Sequence, residues 1–206
     1  MRMVDTVRRR VLVALGVSVA LMAIAVTPAS AAVHFGANLS GLPFPSNAYP
    51  GAYCDHLLNG GNATYGCTWI ETYGYNNGGL AGAKAPQNGT IGKIKLIAGQ
   101  GGSFRLFIAR YKPGTHQGKV IHKGPTINYA TDPCSVDCHV QTFNISPITV
   151  KTGDFLAFKT NKASFLRCDS GGNRVALFNP PLVVGGALKA ETGNDGCYVL
   201  LQAVYN

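Results

Sequence analysis

From residue 32 onwards, the chain consists of short runs of alternating apolar and polar residues separated by turn-forming residues. In the run 90–98, an extended backbone would place Ile94, Leu96 and Ala98 on one face and Lys93 on the other. A period of two is typical of a strand with one buried face. Apolar spacings of three and four residues, which indicate amphipathic helices, are not sustained in this part of the sequence.

This pattern predicts nine or ten short strands bounded by turn residues. The expected strands are 68–73, 90–98, 103–111, 119–123, 126–130, 140–145, 148–150, 155–160, 174–178 and 197–205. The dipeptide Gly124-Pro125 is expected to separate two of them, and 32–66 is expected to be a loop-rich segment. Because the strands follow one another without intervening helices, they predict an antiparallel β-sandwich or barrel.

The first 31 residues differ from the rest of the chain. Four arginines among the first ten residues precede the uncharged apolar run 11–26, and the small residues Ala29-Ser30-Ala31 follow. This arrangement is typical of an export signal. The apolar run is shorter than the roughly 20 residues that cross a bilayer. We therefore expect a signal peptide at 1–31 and a single domain at 32–206, secreted or held at the cell surface, with no membrane span after cleavage.

The six cysteines all lie within 32–206. An even number of cysteines in an exported chain is typical of disulfides. Their order favours three pairs: Cys54–Cys67, Cys134–Cys138 and Cys168–Cys197. Cys134 and Cys138, together with Asp132 and His139, could instead bind zinc. The oxidising compartment favours the disulfide, and no metal is predicted there.

The charge of the chain excludes one class of partner. Without residues 1–31, 14 basic and 8 acidic residues remain, which gives a net charge of +6. The basic residues are scattered rather than grouped, so no nucleic-acid-binding arm is indicated. They could form a solvated sheet face, or they could attract acidic wall polymers or polysaccharides.

The most informative part of the sequence for the fold is the segment 141–158. Its Ile148-Thr149-Val150-Lys151-Thr152-Gly153-Asp154 hairpin resembles turns found in jelly-roll sandwiches, including carbohydrate-binding modules and tumour-necrosis-factor-like proteins. Here Gly153 is expected to adopt a backbone conformation that other residues resist, and Asp154 is expected to cap the turn.

A longer stretch, 85–160, resembles a group of small exported actinobacterial proteins of unknown function. Gly89-Thr90-Ile91, Phe104-Arg105-Leu106 and Gln141-Thr142-Phe143 carry this resemblance. These are strand and turn motifs rather than catalytic ones. The resemblance implies a jelly-roll-like sandwich and implies no activity.

Aromatic residues are concentrated in the N-terminal third, among asparagines and glycines. We take Tyr65, Trp69, Tyr73 and Tyr75 as candidate ligand-binding residues, because aromatic faces stack on sugar rings and amides bind sugar hydroxyls. The alternative is that Trp69 and some of the tyrosines pack in the core.

Polar loops flank two of the cysteines. If Cys168 pairs with Cys197, these loops meet at one end of the sandwich, and loops on a rigid scaffold often carry binding residues. The candidate residues are Asp169, Asn173, Asn194 and Asp195. Together with Glu191 they could bind calcium, although such residues are also ordinary turn formers. No other cofactor is indicated.

Motifs of hydrolytic enzymes are not found in the sequence: there is neither a G-x-S-x-G elbow nor an H-E-x-x-H helix. The two glutamates, Glu71 and Glu191, are the remaining candidates, since a glycosidase needs two carboxylates about 5–10 Å apart. The sequence therefore predicts a non-catalytic module that binds a polysaccharide or a cell-wall polymer. A self-assembling structural protein without a small ligand and a small secreted hydrolase remain as alternatives, and the oligomeric state is not predicted.

Overall fold

The computed structural model describes residues 32–40, 52–54, 66–75, 77–132, 139–163, 165–168 and 175–206. Within these ranges, the side chains of residues 52, 53, 166–168 and 195 are not described. Several predicted features fall outside the described residues: the leader 1–31, Tyr65, the Cys134–Cys138 pair, Asp169 and Asn173. The described residues belong to one compact unit, Ala32–Asn206.

The described part of the chain contains fifteen strands and one short helix. In chain order these elements are β1 (His34–Gly36), β2 (Ala52–Tyr53), β3 (Cys67–Glu71), α1 (Leu80–Ala83), β4 (Gly89–Leu96), β5 (Gly102–Lys112), β6 (Gln117–Tyr129), β7 (Gln141–Val150), β8 (Phe155–Thr160), β9 (Lys162–Ala163), β10 (Leu166–Cys168), β11 (Val175–Phe178), β12 (Lys189–Ala190), β13 (Gly193–Asp195), β14 (Cys197–Val199) and β15 (Leu201–Tyr205).

Antiparallel pairing assembles the described strands into two main sheets. One sheet has seven strands in the order β12-β6-β5-β8-β3-β11-β13, and the other has four in the order β1-β15-β4-β7. Strands β10 and β14 form a separate pair, as do β2 and β9. Phe35, Ile94 and Leu201 of the smaller sheet share one buried core with Trp69 and Phe158 of the larger sheet. The predicted antiparallel all-β sandwich is confirmed, and its jelly-roll character stays a prediction.

The seven-stranded sheet is also buried on its outer face. Strands β3 and β11 are buried along their whole length. Their outward-facing residues Ile70 and Phe178 pack in a second apolar cluster with Leu182, from the segment after β11, and Ala83 of α1. Burial on both faces explains why β11 is apolar at every position. Strand β3 is equally buried, although it carries the polar residues Thr68 and Glu71.

The predicted alternation of side chains is confirmed in two strands. Ile94 of β4 and both Phe104 and Leu106 of β5 face the core between the sheets. Phe107 belongs to the second cluster on the opposite face of β5. The predicted hairpin turn is also confirmed: Gly153 has a φ of 87°, and the Asp154 carboxylate accepts the Lys151 N–H at 2.7 Å.

The prediction that Gly124-Pro125 separates two strands is wrong, because β6 runs through it. Arg105 pairs with Thr126 and Phe107 pairs with Lys123, so two residues of β6 lie opposite Leu106. This bulge accommodates a proline that cannot donate a ladder hydrogen bond. Strand β7 likewise continues through Pro147, at the edge of its sheet.

The segment 32–66, which was expected to be loop-rich, contributes two strands. Strand β1 pairs with β15 through Phe35 and Ala203, and β2 pairs with β9. Three residues are too few for an alternating pattern to be visible in the sequence. The sequence therefore did not indicate strand β1, although this strand forms one edge of the smaller sheet.

The predicted Cys54–Cys67 disulfide is confirmed, and its two Cα atoms are 5.8 Å apart. Cys197 is also in a disulfide, and the register of β10 with β14 places Cys168 opposite Cys197. Because the Cys168 side chain is outside the described part, the Cys168–Cys197 bond stays a prediction. A disulfide of this kind is typical of proteins that fold in an oxidising compartment.

Candidate functional site

A surface pocket with a volume of about 450 Å³ lies just beyond the end of β3. We call it the tyrosine pocket. It is lined by Tyr73, Gly74, Asn77, Gly78, Gly79, Leu80 and Tyr198. Tyr73 and Tyr198 are half-buried, and Leu80 keeps 36% of its surface exposed. The pocket thus combines aromatic and aliphatic surface with the backbone of a glycine-rich turn.

Tyr198, which lines this pocket, packs against two other tyrosine rings, of which Tyr73 also lines the pocket. The ring of Tyr198, on β14, lies 5.5 Å from that of Tyr73 and 4.6 Å from that of Tyr75, measured between centroids. The interplanar angles are 58° and 71°, within the tilted and edge-on geometries that aromatic pairs prefer. The contact fixes Tyr198 against a segment more than a hundred residues away in sequence, so the rings are held in place before any ligand binds.

The floor of the pocket is a glycine-rich turn with a defined conformation. The Gly74 N–H donates to Gly79 O at 2.9 Å, and Asn77 Nδ2 donates to Gly36 O at 3.1 Å. Gly79 has a φ of 63°, and a Cβ at this position would lie 3.0 Å from the Tyr73 ring. Glycine is required here both for the left-handed backbone and for the space under the ring.

Trp69 does not line the pocket. Its indole is 0% exposed and stacks on Phe158 in the core, with ring centroids 6.0 Å apart and an interplanar angle of 10°. Indole Nε1 has no hydrogen-bond partner in the described part of the chain. For Trp69 the core-packing alternative fits its position, since a fully buried ring offers no face to a ligand.

The structure does not bring all the candidate binding residues together. Tyr73 lines the pocket, and Tyr75 contacts the Tyr198 ring without being part of the pocket lining. Asn194 lies elsewhere, exposed on β13 at the edge of the seven-stranded sheet. The backbone of Asp195 pairs with Val175 there. Among the described residues, no group of three or more His, Cys, Asp or Glu side chains has the geometry to hold a metal ion.

Glu71, at the end of β3, is a carboxylic acid buried in the sandwich core. It is fully buried, and neither of its oxygens has a hydrogen-bond partner in the described residues. Oε2 lies 3.1 Å from where a Cβ on Gly36 would be, close to Leu156. Burial raises the pKa of Glu71 well above its ordinary value of 4.5, outweighing the nearby Ala37 backbone N–H, which acts in the opposite direction. Burial therefore favours the protonated, neutral form of this side chain.

Glu191, the other glutamate, belongs to a polar cluster on the other face of the seven-stranded sheet. Its Oε2 accepts the Tyr111 hydroxyl at 2.7 Å, and the same hydroxyl lies 3.1 Å from His116 Nδ1. His116 occupies the turn after β5 with a φ of 52°. The cluster fastens that turn to the segment before β13, and it shares no contact with Glu71 among the described residues.

A second surface depression, of about 470 Å³, lies near the start of β3. We call it the cationic groove. It is lined by Gly101, Gly102, Ser103, Phe104, Arg105, Thr126, Tyr129, Lys159, Thr160, Asn161 and Lys162. Alternation in β5 indicated that Arg105 faces away from Leu106. The sequence could not show that Lys159 lies beside Arg105, because this depends on the register between β5 and β8.

Comparison of the chain with protein-family models, curated proteins and solved structures found no match. In the part of the chain that the structure describes, no helix has the length and apolar character needed to cross a membrane. Function is therefore argued from the geometry of the tyrosine pocket and the cationic groove.

Proposed function

We propose that the protein is an exported, non-catalytic binding module and that its tyrosine pocket holds a sugar residue of a polysaccharide or cell-wall polymer. The observation that carries the proposal is the pair of rings, Tyr73 and Tyr198, that line one pocket with centroids 5.5 Å apart. Sugar rings have apolar C–H faces that stack on aromatic side chains, while their hydroxyls bind polar groups.

The lining of the pocket supports this class of ligand. Leu80 extends the apolar surface beside the rings, and the turn formed by Gly74, Gly78 and Gly79 brings backbone close to the ligand. Gly74 and Gly79 are already hydrogen-bonded to each other, so Gly78, which is exposed, is the residue of this turn whose backbone N–H or C=O would meet a sugar hydroxyl. Among the described residues, no charged side chain lines the pocket, which favours a neutral sugar over an ionic ligand.

Oxidised cysteines support an extracellular location. The Cys54–Cys67 disulfide and the disulfide that contains Cys197 persist in an oxidising compartment and are rare in the cytosol. The proposed leader 1–31 would deliver the chain to such a compartment. A module at the cell surface or in the medium encounters polysaccharides as abundant partners.

The placement of the two glutamates favours binding over hydrolysis. A glycosidase needs two carboxylates flanking the scissile bond, whereas Glu71 points into the core and Glu191 binds Tyr111 beyond the other face of the sheet. Neither glutamate lines the tyrosine pocket. The proposed role is therefore attachment to the polymer rather than its cleavage.

The test is retention on polysaccharides by affinity electrophoresis and pull-down, with neutral polymers such as cellulose, chitin and xylan and with purified cell-wall preparations. We expect the wild-type protein to be retained by at least one neutral polymer. Tyr198→Ala and Tyr73→Ala should each weaken binding about tenfold, which corresponds to about 1.4 kcal/mol. Tyr198→Phe should bind like the wild type, because it keeps the stacking ring.

Phe143→Ala is the matched control, since it removes a half-buried ring from β7 of the other sheet. Thermal melting of each variant separates loss of binding from loss of folding. Failure of the wild-type protein to be retained by any polymer would refute the proposal. Equal retention of the wild type and of both folded alanine variants would refute the tyrosine pocket as the site.

A further inference from the structure

We propose that the cationic groove is a second binding site, distinct from the tyrosine pocket, that takes the acidic groups of a polysaccharide: carboxylate, sulfate or phosphate. This inference goes beyond the proposed function, because it concerns a different surface and a different ligand chemistry. Lys159 pairs with Thr68 near the start of β3, whereas Tyr73 follows its end. The two sites thus lie towards opposite ends of this strand.

Two residues of like charge are neighbours on adjacent strands of the groove. Arg105 on β5 and Lys159 on β8 are direct cross-strand partners, and both are half-buried. Side chains in such pairs have Cβ atoms roughly 4.5–5.5 Å apart, and like charges at this spacing destabilise a sheet. An anion bound between the two side chains would remove this repulsion.

The four carboxylate side chains that the structure describes lie outside the groove. Glu71 is enclosed in the core, Asp132 pairs with His139, Asp154 pairs with Arg110, and Glu191 binds Tyr111. Among the described residues, neither Arg105 nor Lys159 forms an ion pair with a carboxylate.

Two of the cationic side chains in the groove are oriented by hydrogen bonds. Arg105 Nη1 donates to Gly124 O at 3.2 Å, which orients the guanidinium and leaves further N–H groups for a ligand, since arginine carries five. Lys162 at the groove rim is oriented by a hydrogen bond to Gln100 Oε1. A guanidinium with nearby ammonium groups suits oxyanions, which accept charge-assisted hydrogen bonds.

The neutral lining favours a polysaccharide over a nucleic acid. Hydroxyl and amide groups of Ser103, Thr126 and Asn161 surround the cations and can bind sugar hydroxyls. Single-stranded nucleic acids instead require exposed aromatic faces on which bases stack. Tyr129, the tyrosine of the groove, is only 6% exposed and offers no such face.

The experiment compares dextran sulfate with uncharged dextran, and polygalacturonate with its methyl ester, by affinity electrophoresis at low and moderate salt. We expect both acidic polymers to bind and both neutral partners to bind at least tenfold more weakly. Added salt should weaken the binding, because it screens the charges. Arg105→Ala/Lys159→Ala should lose at least tenfold in affinity for the acidic polymers.

Lys93→Ala/Lys112→Ala is the charge-matched control, since both lysines are exposed outside the groove. Its affinity for the acidic polymers should fall less than twofold. If Arg105→Ala/Lys159→Ala does not fold, Lys159→Gln alone should lose about threefold or more, and Arg105→Lys should also weaken binding. Equal losses in both double variants would overturn the inference, as net charge alone would then explain the binding. Tighter binding of a single-stranded oligonucleotide than of either acidic polymer would overturn it as well.

The two proposals can fail separately. Arg105→Ala/Lys159→Ala should keep the binding of the neutral polymer, and Tyr198→Ala should keep the binding of dextran sulfate. If no neutral polymer binds but the salt-sensitive, groove-dependent binding is found, the tyrosine-pocket proposal is refuted and the cationic groove stands. If a neutral polymer binds but no salt-sensitive, groove-dependent binding is found, the cationic-groove proposal is refuted and the tyrosine-pocket proposal stands.

Discussion

Tyr198 packs edge-on against Tyr75, with ring centroids 4.6 Å apart and an interplanar angle of 71°. Tyr198 belongs to β14, and Tyr75 follows β3, so the contact joins two segments that are remote in the chain. The same Tyr198 ring also contacts Tyr73. The ring is thus a structural part of the pocket as well as its proposed binding surface.

We expect Tyr198→Ala to lower the free energy of unfolding by about 1–3 kcal/mol, because two aromatic contacts of about 0.5–1.5 kcal/mol each are lost. Tyr198→Phe should change stability by less than about 0.5 kcal/mol, the range of substitutions that keep the packing intact. Urea unfolding measures both values. A Tyr198→Ala variant as stable as the wild type would show that the ring cluster does not stabilise the fold.

Glu71 predicts a specific dependence of stability on pH. Below the ordinary carboxyl pKa of 4.5, the side chain is protonated in both the folded and the unfolded state. Above this value the unfolded chain releases the proton, while the folded chain retains it because burial raises the pKa. The free energy of unfolding therefore falls as pH rises, until the pKa of the folded state is passed.

Glu71→Gln should remove this contribution, since an amide does not titrate. Relative to the wild type, the variant should gain stability as the pH of the urea unfolding experiment is raised above 4.5, until the pKa of the folded state is passed. Thr72→Ser, next in the chain, is a suitable control and should follow the wild-type curve. A constant difference between Glu71→Gln and the wild type at every pH would contradict the assignment of a raised pKa to Glu71.

Removal of the Cys54–Cys67 disulfide should destabilise the protein substantially. The bond closes a loop with a sequence separation of 13, for which restriction of the unfolded chain contributes about 3 kcal/mol. The Cys54→Ser/Cys67→Ser double variant should lose about this amount in urea unfolding under non-reducing conditions. With a reductant present throughout, the free energy of unfolding of the wild type should fall by at least as much. An unchanged free energy of unfolding in the reduced wild type would contradict the prediction.

Tyr111→Phe should lower the free energy of unfolding, because it removes a hydrogen bond that holds the turn after β5. The variant lacks the hydroxyl that donates to Glu191 at 2.7 Å, and losing a hydrogen bond to a charged group costs about 1.5–3 kcal/mol. Tyr205→Phe is the control, because its hydroxyl donates to the neutral Gln87 carbonyl and should cost less, about 0.5–1.5 kcal/mol. Equal losses of stability in the two variants would contradict the expectation that the Tyr111 hydroxyl donates to a charged Glu191 carboxylate.

The sequence predicted the fold class because the alternation within strands such as β4 and β5 is a local property of the chain. Ile94 and Leu96 face the core as expected, since a period of two requires no knowledge of partners. The continuation of β6 through Gly124-Pro125 was not predicted, because a bulge becomes visible only when the register with β5 is known. Strand β1 depends in the same way on its pairing with β15.

The candidate sites were predicted less completely, for the same reason. Tyr73 and Tyr75 lie close together in the sequence and were identified as candidates, whereas Tyr198 reaches them only through the fold. Trp69 could not be distinguished from a binding residue by its type, and its burial depends on packing against Phe158. The charged pair of the cationic groove likewise arises from the pairing of two strands.

The most direct test of the central claim is a heteronuclear NMR titration of the wild-type protein with a soluble oligosaccharide from the retained neutral polymer. The account predicts that the ring resonances of Tyr73 and Tyr198 and the amide resonances of Gly78 and Gly79 shift together and saturate with one dissociation constant. Shifts confined to another depression, such as the one lined by His34, Asn38 and Thr142, would contradict it.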